Sequence, residues 1–498
     1  MECVGYSSTS FTFANGDYYG ESNQQRIQDA RIEADQRQIF YENRQVDESA
    51  TPGSRRTVVE LVYFAGLTEG PYEDYDTAEA EELEGLLAAQ ELTLTAREGP
   101  LLKIVVANGG SKMQDAVAVT KMLIPLFKKD PHLLGVVGMD RSITAVQQAI
   151  ALFTRNRIPV VATTLSADGI GGGNPYYFQL PPSNTSEARL MLQYIRAVVP
   201  RYFELPHGQY NSGGFLAPTR IVIYEPEADP SDLYISSLLH DLTQEAETPE
   251  FSGLPRPHAT SQLGTGLSGA GLCGDSTVDI YAGRHDRPLS GSSQYDDFTQ
   301  FLQKIAQHCA NGQTPFIIAD DGVTRFVADP VSREEQGIGN AYISYVTKGI
   351  SILQTGSDCL HSKTAANYSG QFGMFCQQYV QIVNGLLSQP ATRGLSLLWT
   401  GERVGLAYDA AELFLSVEDA GLIPAAGIPA QFTSSGPFVG VTGTIDFSHS
   451  HIGPLPPAIV RIELSSKMAM PTCEYPADKP GYVYGPDPND GSCPNERG

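Results

Sequence analysis

Residues 136–149 read VVGMDRSITAVQQA, an apolar run that breaks at Gly138 and places Arg141, Ser142 and Thr144 where a helical pattern begins. The first backbone N–H groups of a helix lack intrahelical acceptors, so small hydroxyls there either cap the helix or help hold an anion. The next apolar run ends in a turn of the same chemistry, ATTLSA, carrying Thr163, Thr164, Leu165 and Ser166. Farther along, Tyr224 with Glu225, Asp229, Arg284 with His285, and Asp320 with Asp321 stand just past apolar runs. Each alone is explained as a cap or a solvated loop. Jointly they occupy the carboxyl ends of expected strands, where open α/β sheets bind ligands.

Other motifs lack the partners their chemistry needs. GAGLCGDS, from Gly269 to Ser276, has P-loop spacing, but Asp275 stands where the lysine must be and would repel phosphate. Its GDS resembles a serine-hydrolase nucleophile stretch, yet no His and Asp in triad-like context follow. The Gly/Ser-rich stretch 251–277 around it reads as a surface loop. His449 and His451 in FSHSHIG can share one strand face, but no nearby Cys or carboxylate cluster completes a metal site. GIGGGNP, at 169–175, reads as a connection, and no H-E-x-x-H, G-x-S-x-G or strand-preceded G-x-G-x-x-G occurs. No nucleophile, base and orienting group assemble, so the expectation is a non-enzyme without cofactor or metal.

The elements that must position these residues alternate. VVELVYFAGLT, LLKIVVANGG, LLGVVGM and IPVVATTLSADG read as buried strands, separated by helical stretches. In those helices Ala80, Leu83 and Leu87, then Ala145, Ala149 and Leu152, share a face, and Pro125 should kink or end QDAVAVTKMLIPLF. Strands without polar alternation between amphipathic helices imply a parallel sheet covered on both faces. Asn184 and Glu187 in PPSNTSEARLMLQYIRAVV have capping-box spacing. After the Gly/Pro-rich LPHGQYNSGGFLAPT the rhythm restarts through RIVIYE, VDIYAG and TPFIIADDG, with Phe298, Leu302 and Ile305 aligned on one helix. Two such series give an α/β class with two lobes, closed by a strand pair VGVTGTIDF and AIVRIEL. Residues 1–56 are polar and read as a partly helical, mobile N-terminal extension.

Composition narrows the partners. Thirty-three Lys+Arg against 57 Asp+Glu leave a formal charge of −24, which argues against nucleic acid. No apolar stretch is long enough to span a membrane. The opening MECVGYSSTS lacks a basic and apolar leader, so the expectation is either an intracellular protein or an export segment outside this chain. The seven cysteines, at 3, 273, 309, 359, 376, 473 and 493, form no C-x-x-C. The loop-rich tail 471–498 invites a Cys473–Cys493 disulfide, and Cys273 with Cys309 could staple the Gly-rich stretch, which favours an oxidising compartment.

The order of elements, with VVGMDRSITAVQQAIALFTRNRIPVVATTLSADGI, YYFQLPPSNTSEARLMLQYI, LAYDAAELFLSVEDAG and GVTGTIDF, resembles the type I periplasmic-binding-protein fold of branched-chain amino acid ABC-transporter solute-binding proteins. The resemblance covers about residues 57–465. It implies three crossings between lobes, with lobe one at 57–203 and 362–440 and lobe two at 204–361 and 441–470. It further implies a small-molecule ligand, amino-acid-like, held between the lobes, a transporter permease as partner, and a periplasmic, surface or extracellular location for an exported bacterial protein. The alternative is a ligand-sensing module of a larger surface protein. By position, Ser142, then Leu165 and Ser166, match the first-lobe groups that hold a ligand carboxylate, and Asp321 matches the acid that meets its ammonium, while Thr144 stands beside Ser142 as a further ligand-binding candidate. Tyr224, Asp229 and Arg284 stand on the second-lobe loops, and Arg284 either pairs with Asp321 or grips a second anionic group.

Overall fold

The computed structural model describes residues 3–13, 23–50, 56–68, 78–197, 218–225, 229–260, 277–283, 297–308, 316–324, 342–348, 370–392, 402–418, 423–453, 455, 457–463 and 473–476. The chain forms two α/β units, Met1–Pro182 with Ser351–Leu455 and Ser183–Ile350 with Pro456–Gly498. In chain order the helices among the described residues are α1 (Asn23–Ser49), α2 (Ala78–Thr95), α3 (Ala116–Lys129), α4 (Thr144–Arg155), α5 (Asn184–Ala197), α6 (Leu233–Ala246), α7 (Asp297–His308), α8 (Gly370–Leu387), α9 (Glu402–Glu418) and α10 (Ile428–Ser434).

The first unit is built on β1 (Gly5–Ser7), β2 (Val58–Ala65), β3 (Leu101–Asn108), β4 (Leu133–Gly138), β5 (Val160–Ala162) and β6 (Tyr177–Gln179), in the order β1-β3-β2-β4-β5-β6. All neighbours are parallel except β1, which runs antiparallel to β3. The apolar runs seen in the sequence are the parallel strands, buried on both faces. On α4 the buried face is Val146, Ala149, Ile150 and Phe153, so Ala149 is the only member of the expected set that points into the core. Helix α3 runs through Pro125 to Lys129 instead of ending there.

The second unit places β7 (Arg220–Tyr224), β8 (Pro257–Thr260), β9 (Thr277–Tyr281), β10 (Phe316–Ala319) and β11 (Tyr342–Thr347) in parallel, in the order β11-β10-β9-β7-β8. Strand β8 falls inside the stretch read as a loop; its residues complete the edge beside β7, while 261–276, including GAGLCGDS, lie outside the described residues. The expected final strand pair does not form. VGVTGTIDF folds on itself as β12 (Phe438–Val439) against β13 (Thr444–Ile445) in the first unit, whereas β14 (Ala458–Glu463) joins β11 antiparallel and carries β15 (Cys473–Pro476) on its far side.

These pairings move the boundaries. Helix α5, expected in lobe one, belongs to the second unit: Leu190, Met191 and Ile195 are buried in its core, and Asn184 Nδ2 donates to Tyr234 O at 2.9 Å. Residues 441–442, expected in lobe two, are held to the first unit by Asp409 of α9, which accepts from Val441 N, Thr442 N and Thr442 Oγ1 at 2.8, 2.8 and 2.5 Å. A Cβ at Gly440 would run into that carboxylate, which is why the strap needs glycine there.

The N-terminal extension is structural over its described part. Strand β1 covers only Val106–Asn108 of the β3 edge, and the Asn43 side chain completes it: Ile104 N donates to Asn43 Oδ1 at 3.0 Å and Asn43 Nδ2 donates to Ile104 O at 2.8 Å. A carboxamide carries one donor and one acceptor in the arrangement a strand would present. Gln36 does the same for Phe13 N and O, at 2.8 and 2.6 Å. Arg31 forms a bidentate pair with Glu84 of α2, at 2.7 and 2.9 Å, with side chains 3% and 0% exposed. The polar composition of this segment therefore marks an internal interface. Cys3 in it is a free, exposed thiol. Of the cysteines paired in the sequence reading only Cys473 is among the described residues; Cys273, Cys309 and Cys493 lie outside them.

Removing Arg31 leaves Glu84 buried and uncompensated, so Arg31→Ala should cost about 3–5 kcal/mol. Arg37→Ala, which breaks an exposed pair with Glu33, should cost under about 1 kcal/mol. Urea unfolding of both variants checks this, and equal costs would contradict it.

Candidate functional site

In the first unit the carboxyl ends of β2, β3, β4 and β5 meet in loops that hold one another. Asn108 Oδ1 accepts from Leu67 N at 2.8 Å and Gly110 N at 3.0 Å, and its Nδ2 donates to Thr68 Oγ1 at 3.2 Å and Cys3 O at 2.7 Å. Gly138 leaves β4 at φ +105°, and a Cβ there would lie 2.7 Å from Phe64 O. Met139 N donates to that same oxygen at 2.7 Å. Thr163 N donates to Gly138 O at 3.1 Å and Thr164 Oγ1 to Met139 O at 3.1 Å, which ties the β5 loop to the β4 loop.

Ser142 and Ser166 are brought together. Ser166 N and Ala167 N both donate to Ser142 Oγ at 3.4 Å, and all four side chains Ser142, Thr163, Leu165 and Ser166 are buried. Ser142 is not the helix cap: α4 starts at Thr144 behind Ile143, which makes no side-chain capping bond. Its hydroxyl instead gathers amides from the neighbouring loop beside the positive end of α4, a place suited to an anion.

Behind these loops lies a layer of acids that the sequence reading did not include. Tyr63 OH donates to Glu82 Oε2 at 2.9 Å and Thr163 Oγ1 to Glu82 Oε1 at 2.5 Å. Burial pushes the Glu82 carboxyl up to about 7, against the pull of Arg403, Thr163 and Tyr63. Burial, then the charge and hydrogen bond of Asp140, push Glu79 well above the carboxylate range. In AEAEELEGLLAAQ the signal was available: Glu79 and Glu82 flank the same helical face as the apolar Leu83 and Leu86.

In the second unit the ends of β9, β10 and β11 carry a second polar cluster. Asp320 clasps two loops, accepting from Gly283 N at 2.6 Å and Gly322 N at 3.1 Å. Asp321 Oδ1 accepts from Tyr234 OH at 2.5 Å, and Oδ2 forms a buried ion pair with Lys348 Nζ. Asp321 N donates to Glu187 Oε1 at 3.1 Å. Glu187 thus faces Asp321 and does not close a capping box with Asn184; Ser183 Oγ accepts from Ser186 N at 3.4 Å and serves the start of α5. Tyr234 and Lys348 were missed because neither stands in a motif: one opens α6 and the other follows β11.

Of the remaining expected residues, Tyr224 and Asp229 take up other places. The Tyr224 ring is buried 4.9 Å from the Phe301 ring in the sheet–helix core. Asp229 Oδ1 accepts from Ser231 N at 2.8 Å and Ser231 Oγ at 2.7 Å, making a local turn. Arg284 and His285 lie outside the described residues. His451 stacks on Phe178 at 4.5 Å, with Nδ1 3.1 Å from Tyr177 O, a packing role. Among the described residues no group of three or more His, Cys, Asp or Glu is placed to hold a metal ion.

By sequence the chain matches no family model and no curated protein. By structure it is similar to the branched-chain amino acid transporter substrate-binding protein of Streptococcus pneumoniae in complex with isoleucine, at 15% identity and TM-score 0.56 over 86% of this chain and 100% of that one. A leucine-binding protein of Thermotoga maritima gives 14% identity and TM-score 0.55 over 86% and 99%. An ABC-transporter solute-binding protein of Rhodopseudomonas palustris in complex with p-hydroxybenzoic acid gives 11% and 0.53 over 87% and 99%. Parallel sheets flanked by helices in two units, with polar clusters at the strand ends, define an α/β architecture. The fold is the type I periplasmic-binding-protein fold of these neighbours.

Burial also lifts Asp279 to about 8 and Asp409 to about 6, and Glu187 and Asp320 well above their usual range. The folded chain therefore holds more protons than the unfolded one between about pH 4 and pH 8. A raised folded pKa gives stability that is present below the unfolded value and is lost as pH rises through the folded one. The melting temperature should accordingly fall between about pH 5 and pH 8; a rise across that window would contradict the buried acids.

Proposed function

We propose that the chain is a non-catalytic solute-binding protein of an ABC-type uptake system, taking a small polar carboxylic acid of amino-acid size outside the cytoplasm. The observation that carries this reading lies in the first unit, where the Ser142 hydroxyl accepts from the Ser166 and Ala167 amides beside the N-terminus of α4. The Ser142 O–H, whose oxygen two amides hold in place, and the helix N-terminus are neutral donors that suit a ligand carboxylate and offer no nucleophile–base pair for chemistry. The neighbours support the class: their ligands, isoleucine and p-hydroxybenzoic acid, share a carboxylate and little else. A permease is the partner this reading implies. Among the described residues no helix is long and apolar enough to cross a membrane.

The test is a thermal-shift and calorimetric panel of small carboxylic acids, including isoleucine and p-hydroxybenzoate. A bound acid at 100 times its Kd should stabilise the chain by about 2.7 kcal/mol. Ser142→Ala should weaken it about five- to tenfold and, by leaving two buried amides without their acceptor, cost the ligand-free protein about 1–3 kcal/mol. Binding untouched by Ser142→Ala would contradict a role for this loop in holding the carboxylate.

A further inference from the structure

Within the first unit, α1 lies against α2 along a seam crowded with acids. Arg31 gives Nε and Nη2 to Glu84 at 2.7 and 2.9 Å. Asp35, one turn farther along α1, is 1% exposed, and neither of its carboxyl oxygens has a hydrogen-bond partner among the described residues. The charged and titratable groups that face this pair are Glu84 of α2 and the Tyr379 phenol of α8, and Glu81 of α2 meets them together with Glu402 and Arg403 of α9. Farther down the seam the buried Glu42 of α1 repels Glu91 of α2, which burial and that charge push up to about 7. Burial and then the charge of Glu84 hold Asp35 well above the carboxylate range, and the opposing attraction of Arg31 is smaller than either. A carboxylate in that place would be a buried charge without a hydrogen bond, so the docked helix keeps Asp35 neutral.

We propose that β1 and α1 form a proton-held clasp on the first unit, which docks with Asp35 uncharged and is released as pH rises. Free of the seam an aspartate titrates at about 4, so docking takes up a proton. Docking is fully supported below that value, and above it each pH unit weakens docking up to about tenfold until the docked carboxyl itself ionises. The release reaches the strand ends of the same unit. Cys3 O, just before β1, accepts from Asn108 Nδ2 at 2.7 Å, and Asn108 Oδ1 holds Leu67 N and Gly110 N at 2.8 and 3.0 Å. Asn43 of α1 meanwhile completes the β3 edge at Ile104. Undocking therefore withdraws partners both from that edge and from the residue that fastens the loops after β2 and β3.

Hydrogen exchange of the intact chain, corrected for the pH dependence of intrinsic exchange, tests this by comparing residues 31–49 with β4 of the same unit. Opening of α1 relative to β4 should rise at least about tenfold between about pH 5.5 and about pH 7.5. Asp35→Asn and Asp35→Leu, which cannot ionise, should each remove about tenfold of that rise. Asn43→Ala, which weakens the clasp without touching its proton, should open α1 at every pH and keep the rise. Exchange at Leu67 and Gly110 should follow α1 in the natural chain and cease to follow pH in the Asp35 variants. A natural chain whose α1 opens no more readily at the higher pH than β4 does overturns the inference, as does a rise that survives in both Asp35 variants. Exchange at Leu67 and Gly110 that ignores the opening of α1 would overturn the link to the loops.

Discussion

A parallel strand must end, and its last backbone groups enter a loop where neither ladder nor helix satisfies them. In this protein buried side chains take up that task at strand ends in each of the two units. Asn108 serves the loops after β2 and β3, Ser142 the loop after β5, and Asp320 the loop after β9. Because each clasp joins two loops, the loops are fixed by one another. Residues that look like ligand groups in the sequence are therefore first of all the fasteners of the surface that would receive a ligand.

The same constraint explains what could be read from the sequence. The parallel strands were legible because burial on both faces makes them continuous apolar runs, from VVELVYFA to FIIA. Loops at strand ends were legible as polar steps after such runs, which located Ser142, Ser166 and Asp321. Their partners were not legible: Lys348, Tyr234 and Glu187 lie 27, 87 and 134 residues from Asp321 and meet it only after the sheet has formed. Tyr224 failed for a simpler reason: its aromatic side chain follows the strand alternation into the core. The polar N-terminal helix misled because Asn43, Gln36 and Arg31 resemble surface residues until their backbone and acidic partners are known.

An acidic chain of net charge −24 that also buries Glu79, Glu82, Glu187, Asp279 and Asp320 gains nothing from their charges. Burial holds these groups toward the neutral form, in which they act as ordinary hydrogen-bonding carboxyls behind the loops. Two other buried acids sit against a buried cation, as the ion pairs Arg31–Glu84 and Lys348–Asp321. The two pairs serve different ends: the first fixes the N-terminal helix to α2, and the second sets the electrostatic character of the strand ends in the second unit.

The central claim is that the loops after β4 and β5, fastened by Ser142, receive the ligand's carboxylate. Hydrogen exchange at the amides of residues 142–146 and 163–167, with and without a bound small acid, tests it most directly. The account predicts slowed exchange concentrated at Ser166, Ala167 and the first turn of α4 on binding. Unchanged exchange there, with protection gained elsewhere in the chain, would contradict it.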